Sequence, residues 1–327
     1  MAKNNELRKI GVLTSGGDSP GMNTCIRAVV RTAVYHNLEV IGIDEGYDGL
    51  IRGEMKLMEA RDVGGILQRG GTILQTARSE EFRTPAGQRE ALRQLHEEGI
   101  EGLVVIGGDG SLRGAHVLAE QGIRVIGVPA SIDNDIWGTN MSIGVDTALN
   151  TIKDAIDKLR DTASSHNRAF LIETMGRNCG YLAVMAGIIG GAEMVLIPER
   201  ETSVEEVIAV VEAAYTRGKT HSIIVVAEGA SIKSSDLARQ IDESDAGFKT
   251  RVTILGHIQR GGRPSAFDRL LATRLGVRAV EALMAGESDK MVGLQGREIE
   301  LVSLPEVTAN TREANLDYYD MVRMLAN

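Results

Sequence analysis

The amino-acid sequence predicts an α/β protein built on mainly parallel sheets, with helices covering both faces. Short, continuous apolar runs recur along the chain, and stretches with the period of an amphipathic helix separate most of them. Strands that are apolar at every position are buried on both faces, as the strands of a parallel sheet are. Alternating strands and helices are typical of the α/β class. The chain has 38 glycines in 327 residues, which indicates many close backbone approaches inside an ordered fold.

The predicted elements follow in order along the chain. Eight apolar runs of four to six residues are the predicted strands: Lys9–Leu13, Val40–Ile43, Leu103–Ile106, Val125–Val128, Ala169–Ile172, Met194–Ile197, Ser222–Ala227 and Val252–Leu255. The predicted helices are Met22–Tyr35, Gln88–Glu98, Asp146–Asp161, Val204–Arg217 and Asp268–Ala285. In sheets of this kind ligands bind beyond the carboxyl ends of the strands, so the residues after each strand are the candidates for a site.

Composition and charge exclude several classes of function. The chain has 36 Lys and Arg against 45 Asp and Glu, and its aromatic residues are 4 Phe, 1 Trp and 6 Tyr, so we expect no binding to nucleic acid. No apolar run is long enough for a membrane span, and the N-terminal residues lack the apolar stretch of a signal peptide. Two cysteines provide neither a disulfide framework nor a zinc site. We therefore expect a cytoplasmic protein that does not bind membranes.

Two glycine-rich segments follow predicted strands and precede helices. Segment 14–21 (TSGGDSPG) follows the first strand, and segment 107–111 (GGDGS) follows the third. Glycines allow close backbone approach, and the N–H groups at a helix start attract phosphate, so both segments are candidates for binding a polyphosphate. An ordinary strand-to-helix turn explains the first segment equally well. The second also carries Asp109, a candidate Mg²⁺ ligand, which favours a nucleotide site.

Acids and arginines follow three further strands. Segment 130–135 (ASIDND) carries Asp133 and Asp135, which can divide the work of a general base and a metal ligand. Taken alone, that hexapeptide is better explained as a turn with solvated acids. Segments 173–177 (ETMGR) and 256–262 (GHIQRGG) place Arg177 and Arg260 on glycine-flanked loops, where guanidinium groups suit bidentate contacts to phosphate.

Together these motifs resemble the bacterial ATP-dependent 6-phosphofructokinases. TSGGDSPGMN, GGDGS, SIDND, RDTASSHNR, ETMGR and GHIQRGG stand in that family's order and spacing from Ile10 to about Arg278. The resemblance implies two lobes, each an αβα sandwich with a mainly parallel sheet. It implies an ATP-binding lobe at residues 1–143 and 258–308, and a sugar-phosphate-binding lobe at 144–257 and 309–327. It also implies a homotetramer whose active sites are shared between subunits.

The resemblance further implies that the γ-phosphate of ATP, bound with Mg²⁺, passes to the 1-hydroxyl of fructose 6-phosphate in glycolysis. The implied ATP contacts are Gly17, Arg78, Gly108, Asp109, Gly110 and Ser111, and the implied metal ligands are Asp109 and, through water, Asp135. The implied catalytic residues are Asp133 as general base, with Ser131, Arg78 and Arg177. The implied sugar-phosphate contacts are Ser131, Asp133, Met175, Gly176, Arg177, Glu228, His257 and Arg260, with Arg168 and Arg251 reaching the neighbouring subunit's site.

The family also has an effector site for ADP or phosphoenolpyruvate between subunits. The resemblance carries that site onto Arg27, Arg31, Arg160, Gly191, Glu193, Arg217, Lys219 and His221. Two departures weaken it, because Gly65 replaces an acid that is often found there and Ala60 stands where some relatives have Arg. The alternative is that the basic residues form interface salt bridges only.

Other reactions stay open beside the leading one. Pyrophosphate-dependent relatives carry Asp at the position of Gly110 and Lys at that of Ala130, so both residues favour ATP here. The usual residue at the position of Ala130 in the ATP-dependent family is Gly, and the extra methyl bears on loop packing more than on chemistry. Another sugar phosphate, such as tagatose or sedoheptulose phosphate, is an alternative acceptor. A silent paralogue that only binds nucleotide is disfavoured, because the candidate base and metal ligand are both present.

Overall fold

The structure is a computed structural model that describes residues 7–326. Its strands are β1 (Lys9–Ser15), β2 (Glu39–Ile43), β3 (Met55–Leu57), β4 (Gly102–Gly107), β5 (Arg124–Pro129), β6 (Arg168–Thr174), β7 (Met194–Leu196), β8 (Ser222–Ala227), β9 (Lys249–Ile254), β10 (Lys290–Gln295) and β11 (Glu298–Ser303). Its α-helices are α1 (Met22–Tyr35), α2 (Gly46–Arg52), α3 (Pro85–Glu97), α4 (Asp109–Glu120), α5 (Val145–His166), α6 (Tyr181–Ile189), α7 (Val204–Thr216), α8 (Ser234–Glu243), α9 (Ala266–Met284), α10 (Leu304–Ala309) and α11 (Leu316–Leu325). Short 3-10 helices lie at Glu81–Arg83 and Gly256–Gln259.

All eight predicted strands are present, as β1, β2 and β4 to β9, and the five predicted helices are α1, α3, α5, α7 and α9. Their ends move by up to five residues, the largest difference being at the end of α5. Strands β3, β10 and β11 are not among the predicted strands. None of the described helices combines the length and apolar character needed to cross a membrane.

The chain divides into two compact units. Unit 1 runs from the first described residue to Ile132 and adds Ile136–Thr147 and Arg260–Thr311. Unit 2 comprises Asp133–Asp135, Ala148–Gln259 and the residues from Arg312 to the last described one. The predicted lobes change at residues 143, 257 and 308, and the units change at 147, 259 and 311. The functional division into an ATP lobe and a sugar-phosphate lobe stays a prediction.

Unit 1 contains a seven-stranded sheet in the order β11-β10-β5-β4-β1-β2-β3. Its central strands pair in parallel, and only the edge strands β3 and β11 pair antiparallel with their neighbours. The register sets Ser15 beside Gly107 and Gly107 beside Pro129. The segments that follow β1, β4 and β5 therefore leave the sheet side by side, at the edge where parallel sheets bind ligands.

Helices cover both faces of this sheet. One buried cluster joins the sheet to α1 and α9, and includes Cys25, Ile26, Val29, Leu275 and Ala279. A second joins the opposite face to α2, α3, α4 and α10, and includes Leu50, Leu95, Leu112 and Leu304. Each fully buried aliphatic side chain stabilises the fold by about 1.5–3 kcal/mol relative to an exposed one. Unit 1 is therefore an αβα sandwich.

Unit 2 contains a four-stranded sheet in the order β7-β8-β6-β9, with every pair parallel. On one face Leu171 and Val226 pack with Val207 of α7 and Leu237 of α8. On the other face α6 lies so close to β7 that a Cβ on Gly187 would be 2.2 Å from Cγ2 of Val195. Helix α11 packs against α6 and β7. The predicted class, αβα layers around mainly parallel sheets, is confirmed in both units.

Candidate active site

The first glycine-rich segment of unit 1 connects β1 to α1. The N–H of Gly16 donates to the carbonyl of Ala77 at 3.3 Å, and Oγ1 of Thr76 donates to the carbonyl of Gly16 at 2.9 Å. These two bonds hold the segment before Arg78 against the glycine loop, and the Arg78 side chain is exposed. The structure thus brings two predicted ATP contacts, Gly17 and Arg78, to one loop pair.

The second glycine-rich segment connects β4 to α4 and packs against the first. Oγ of Ser111 donates to the carbonyl of Ser15 at 2.9 Å, so this predicted ATP contact joins the two loops in the structure. Helix α4 begins after Gly108, and among the described residues no side chain caps it. The N–H groups of a helix start are suited to phosphate. Asp109 stands in the first turn, where its carboxylate pairs with Nε of Arg113 at 2.9 Å.

Arg260 lies in unit 1, beside the first glycine loop. Its Nη1 is 3.4 Å from the carbonyl O of Asp18, and a Cβ on Gly17 would be 2.6 Å from that nitrogen. Only glycine allows the guanidinium this close to the loop. The family resemblance places Arg260 together with His257 at the sugar's 6-phosphate. His257 is exposed on the 3-10 helix of unit 2, and the shared role of the two side chains at the 6-phosphate stays a prediction.

Segment 130–135 leaves the sheet after β5. The N–H of Ala130 donates to the carbonyl of Gly107 at 2.9 Å, and its methyl is 1% exposed within the buried core, so the extra methyl is accommodated. Asn134 has a left-handed backbone with φ 54°, which is the tight turn that the hexapeptide predicts. The prediction that the acids of this turn are solvated is wrong for Asp133, which is 1% exposed.

Asp133 lies within unit 2 together with Asp135. Its Oδ2 is 3.4 Å from Nε of Arg177, which is a half-exposed side chain. The carbonyl of half-buried Asp135 accepts from the N–H of Arg312 at 3.0 Å, so the turn is tied to the C-terminal part of unit 2. A carboxylate buried beside one cation is a common environment for a general base.

The loop after β6 brings together the predicted sugar residues Met175, Gly176, Arg177 and Glu228. Gly176 has φ 137° and Arg177 has φ 50°, so two consecutive residues adopt left-handed backbone. Their N–H groups converge on Oε1 of Glu228, at 3.2 and 2.8 Å. Glu228 comes directly after β8. Its carboxylate thus fixes a loop whose backbone is otherwise unfavourable for arginine.

Arg168 and Arg251 lie on the adjacent strands β6 and β9. Arg168 is half-buried opposite Lys249, and Arg251 is exposed opposite Phe170. Nη1 of Arg251 donates to the carbonyl of Thr250 at 2.7 Å. The two predicted cations are thus close in register on one strand pair, and their role toward a neighbouring subunit stays a prediction.

The comparisons with known proteins decide the family. The family model "Phosphofructokinase" matches residues 9–283. The chain belongs to the phosphofructokinase family. A protein of Natranaerobius thermophilus named "ATP-dependent 6-phosphofructokinase" is 54% identical over 98% of this chain and 100% of its own length.

Solved phosphofructokinases have the same fold. The phosphofructokinase of Saccharomyces cerevisiae is 41% identical with a TM-score of 0.87 and covers 92% of this chain. That of Pichia pastoris in the T-state is 37% identical with a TM-score of 0.89 and covers 94%. The chain spans 45% and 36% of the length of these two yeast proteins.

Five of the predicted effector residues come together in unit 2. Arg160 donates to the carbonyls of Gly190 and Gly191, and its Nη1 lies 3.1 Å from Nε2 of His221. Burial and the charge of Arg160 lower the pKa of His221, so its neutral imidazole accepts from Arg160. Close by, Nζ of Lys219 pairs with Oε2 of Glu193 at 2.7 Å.

The remaining effector residues are placed differently. Arg217 is exposed at the end of α7, two residues before Lys219. Arg27 and Arg31 lie on α1 in unit 1, where Nη2 of Arg31 is 3.5 Å from the carbonyl O of Ala60. The structure therefore confirms neither a complete effector site nor its loss.

Two polar residues of unit 2 were not singled out from sequence. Gln259 is fully buried and contacts the loop after β6. Glu173 hydrogen-bonds the hydroxyl of Ser234, and burial together with the charge of Glu228 raises its pKa. Gln259 stands in GHIQRGG, which follows β9, and Glu173 near the end of β6 opens ETMGR, so a position at a strand end was the available signal.

Proposed function

We propose that the protein is an ATP-dependent 6-phosphofructokinase, which transfers the γ-phosphate of ATP to the 1-hydroxyl of fructose 6-phosphate and releases ADP and fructose 1,6-bisphosphate. The observation that carries the proposal is the buried carboxylate of Asp133 with Arg177 Nε at 3.4 Å. The family membership and the names of relatives at over 50% identity across 98% of this chain support it.

Asp133 is the general base in this proposal. It accepts the proton of the 1-hydroxyl while that oxygen bonds to the γ-phosphorus and the bond to the β-phosphate oxygen breaks. Ser131 follows β5 in the same segment and orients the same hydroxyl. Arg78 and Arg177 neutralise charge on the phosphoryl group, which is the main demand of phosphoryl transfer.

The two glycine loops of unit 1 are the proposed ATP site. Gly17, Gly108 and Gly110 let the phosphates approach the backbone, and the start of α4 supplies N–H groups. A Cβ on Gly110 would have no heavy atom within 4 Å, so the space in front of this residue is open. That open space suits the α-phosphate of a nucleotide, and Ala130 supplies no cation for pyrophosphate.

Mg²⁺ fits the residues present. Asp109 and Asp135 supply carboxylate oxygens, the donors that Mg²⁺ prefers. In the described part of the chain no group of three or more His, Cys, Asp or Glu forms a complete metal cage. Mg²⁺ is usually held by one or two carboxylates together with water and substrate phosphates, so two acids are enough. When bound, the ion would neutralise charge on the ATP phosphates.

The proposed sugar-phosphate contacts are Ser131, Asp133, Met175, Gly176, Arg177, Glu228, His257 and Arg260, with Arg168 and Arg251 serving the neighbouring subunit of a homotetramer. The chain has a net charge of −9 and its substrates are polyanions, so these local cations must overcome a repulsive field. Sugar-phosphate binding should therefore depend on ionic strength in the range where surface charges are screened.

We also propose that ADP or phosphoenolpyruvate regulates the enzyme at the cluster around Arg160 and Lys219. The clustered cations suit an anionic effector. Support comes from the phosphofructokinase of Pichia pastoris, whose structure was solved in the T-state. A cytoplasmic location follows from the proposed role in glycolysis.

A coupled assay tests the reaction. Purified protein is given Mg²⁺, fructose 6-phosphate and either ATP or pyrophosphate, and fructose 1,6-bisphosphate is measured. We expect product with ATP and none above background with pyrophosphate. Equal use of both donors would overturn the ATP assignment, and product from tagatose or sedoheptulose phosphate in preference to fructose 6-phosphate would overturn the acceptor.

A further inference from the structure

Gln259 ends the 3-10 helix Gly256–Gln259 and its side chain is 0% exposed. Its Oε1 accepts from the N–H of Met175 at 3.3 Å, and its Nε2 donates to the carbonyl of Gly256 at 3.0 Å. The two backbone partners fix the orientation of the amide, because an N–H requires the oxygen and a carbonyl requires the NH₂ group.

The two partners belong to different loops. Met175 begins the loop after β6 that carries Arg177, and Gly256 begins the turn after β9 that carries His257. Strands β6 and β9 are parallel neighbours, and the N–H of Leu255 still donates to the carbonyl of Glu173 at 3.0 Å. Beyond that bond the regular pairing of the strands ends, and the amide of Gln259 continues the connection between the two chains.

Gln259 also completes a set of backbone bonds in the Arg177 loop. Three consecutive N–H groups, those of Met175, Gly176 and Arg177, are accepted by two side chains, Gln259 and Glu228. Two left-handed residues in succession would otherwise expose their N–H groups. Without Gln259, the N–H of Met175 would lose its side-chain acceptor, while those of Gly176 and Arg177 would keep Glu228.

We propose that Gln259 is a positioning residue for sugar-phosphate binding, which fixes the loop that carries Arg177 to the turn that carries His257. This rests on the proposed function, since both loops carry proposed contacts to fructose 6-phosphate. Gln259 contacts no substrate itself. Its loss should disorder both loops together. Binding of the sugar phosphate should become weaker, and binding of ATP should not change.

The test compares steady-state kinetics of the wild type, Gln259→Met and Gln240→Met. Methionine has nearly the volume of glutamine but neither hydrogen bond. Gln240 is a half-buried glutamine on α8 of the same unit and serves as the matched control. For Gln259→Met we expect the KM for fructose 6-phosphate to rise about tenfold or more and the KM for ATP to stay within about twofold. Gln240→Met should match the wild type in both.

Gln259→Glu adds a second measurement, the pH dependence of activity. A purely structural role of Gln259 would not change that dependence. Ionised glutamate keeps an acceptor for Met175 but turns a charged oxygen toward the carbonyl of Gly256. Protonated glutamate donates to that carbonyl as the amide does. The activity of Gln259→Glu relative to wild type should therefore rise as the pH falls. If Gln259→Met folds too poorly to assay, the variant Gln259→Glu still tests the proposal.

Hydrogen exchange gives the structural counterpart. In Gln259→Met we expect faster exchange in both segments 173–178 and 255–260 and unchanged exchange in α7. A wild-type enzyme inactive with ATP and fructose 6-phosphate refutes the proposed function. An active wild type with Gln259→Met within about twofold in the KM for fructose 6-phosphate, or a flat pH ratio for Gln259→Glu, refutes the role of Gln259 alone.

Discussion

The glycine loops of unit 1 and the Arg177 loop of unit 2 use their backbones in opposite ways. Helix α4 starts without a side-chain cap in the described structure, and a Cβ on Gly110 would meet open space. In the Arg177 loop, the chain's own side chains Glu228 and Gln259 accept from the backbone N–H groups. In the proposed function, unit 1 thus presents backbone to the nucleotide, whereas unit 2 uses its backbone to aim the side chain of Arg177.

This contrast predicts which substitutions affect which substrate. Changes at glycines of unit 1 should impair use of ATP, and changes at polar side chains of unit 2 should impair use of the sugar phosphate. We expect the chemical step to depend on Asp133 in either case.

The largest effect is expected for Asp133→Asn, which keeps the shape of the side chain but cannot accept the proton. We expect kcat to fall by about 10²–10⁴ with both KM values little changed, measured in the coupled assay. Asp161→Asn, at an exposed acid on α5, is the control. Turnover of Asp133→Asn within about threefold of wild type would remove Asp133 from the role of base.

Gly110→Asp should act on ATP. The open space in front of Gly110 admits the side chain without a clash, so the unfolding midpoint should not change, but the carboxylate would face the α-phosphate. We expect the KM for ATP to rise about tenfold or more and the KM for fructose 6-phosphate to stay within about twofold. Gly110→Ala, which adds bulk without charge, should lie between this variant and wild type. An unaltered ATP requirement in Gly110→Asp would place the nucleotide elsewhere.

Arg251→Ala should act on the sugar phosphate. Loss of one charge-assisted contact to phosphate costs about 1.5–3 kcal/mol, so the KM for fructose 6-phosphate should rise about 10- to 150-fold.

To test sharing between subunits, Asp133→Asn subunits are mixed with Arg168→Ala subunits and allowed to reassociate. Recovered activity means that Arg168 serves a neighbour's site. If mixed oligomers form, as shown by native mass measurement, and activity stays at the level of the parents, the sites are not shared.

Arg160→Ala should abolish regulation while sparing the basal reaction. We expect ADP or phosphoenolpyruvate to shift the fructose 6-phosphate saturation curve of the wild type by a coupling of about 1–3 kcal/mol, and the shift to vanish in the variant. Arg239→Ala, at an exposed arginine of α8, should keep it. Superimposable wild-type curves with and without saturating effector would mean that the Arg160 cluster is structural.

Asp268, a buried acid of α9, is expected to affect turnover least, and its predicted effect is on the free energy of unfolding. Burial raises its pKa from 3.8 to about 6, although Thr147 and the N–H of Gly144 donate to its carboxylate. The folded state therefore holds a proton that the unfolded state has lost, and the free energy of unfolding falls as the pH rises from about 4 to 6. The excess stability of wild type over Asp268→Asn should shrink by up to about 3 kcal/mol across that window in urea unfolding. A pH-independent difference would contradict this titration.

The fold was largely predictable because most of its strands are continuous apolar runs. The exceptions have physical reasons. Strand β11 (EIELVS) alternates apolar and polar residues as an antiparallel edge strand does, and β3 is only three residues long. Helix α6 (YLAVMAGII) is apolar nearly all round, so it shows no helical period.

The candidate site was predictable where a motif follows a strand, but the direction of side chains was not. Nothing in ASIDND distinguishes a solvated Asp133 from the buried one in the structure, because its burial comes from residues distant in sequence. Arg260 directly follows Gln259 of unit 2 in the motif GHIQRGG, yet its side chain lies against Gly17 in unit 1. Gln259 has no chemistry of its own that would mark it, and only its two backbone partners show its place.

The proposed division of the two substrates between the units is tested most directly by measuring both KM values in one unit 1 variant and one unit 2 variant under identical conditions. Glu228→Ala leaves the N–H groups of Gly176 and Arg177 without their acceptor, and Gly110→Asp places a charge in the ATP loop. The expected pattern is crossed: Glu228→Ala raises the KM for fructose 6-phosphate about tenfold or more and leaves that for ATP within about twofold, and Gly110→Asp does the reverse. If either variant raised both KM values equally, with its unfolding midpoint unchanged, the two units would not divide the substrates in this way.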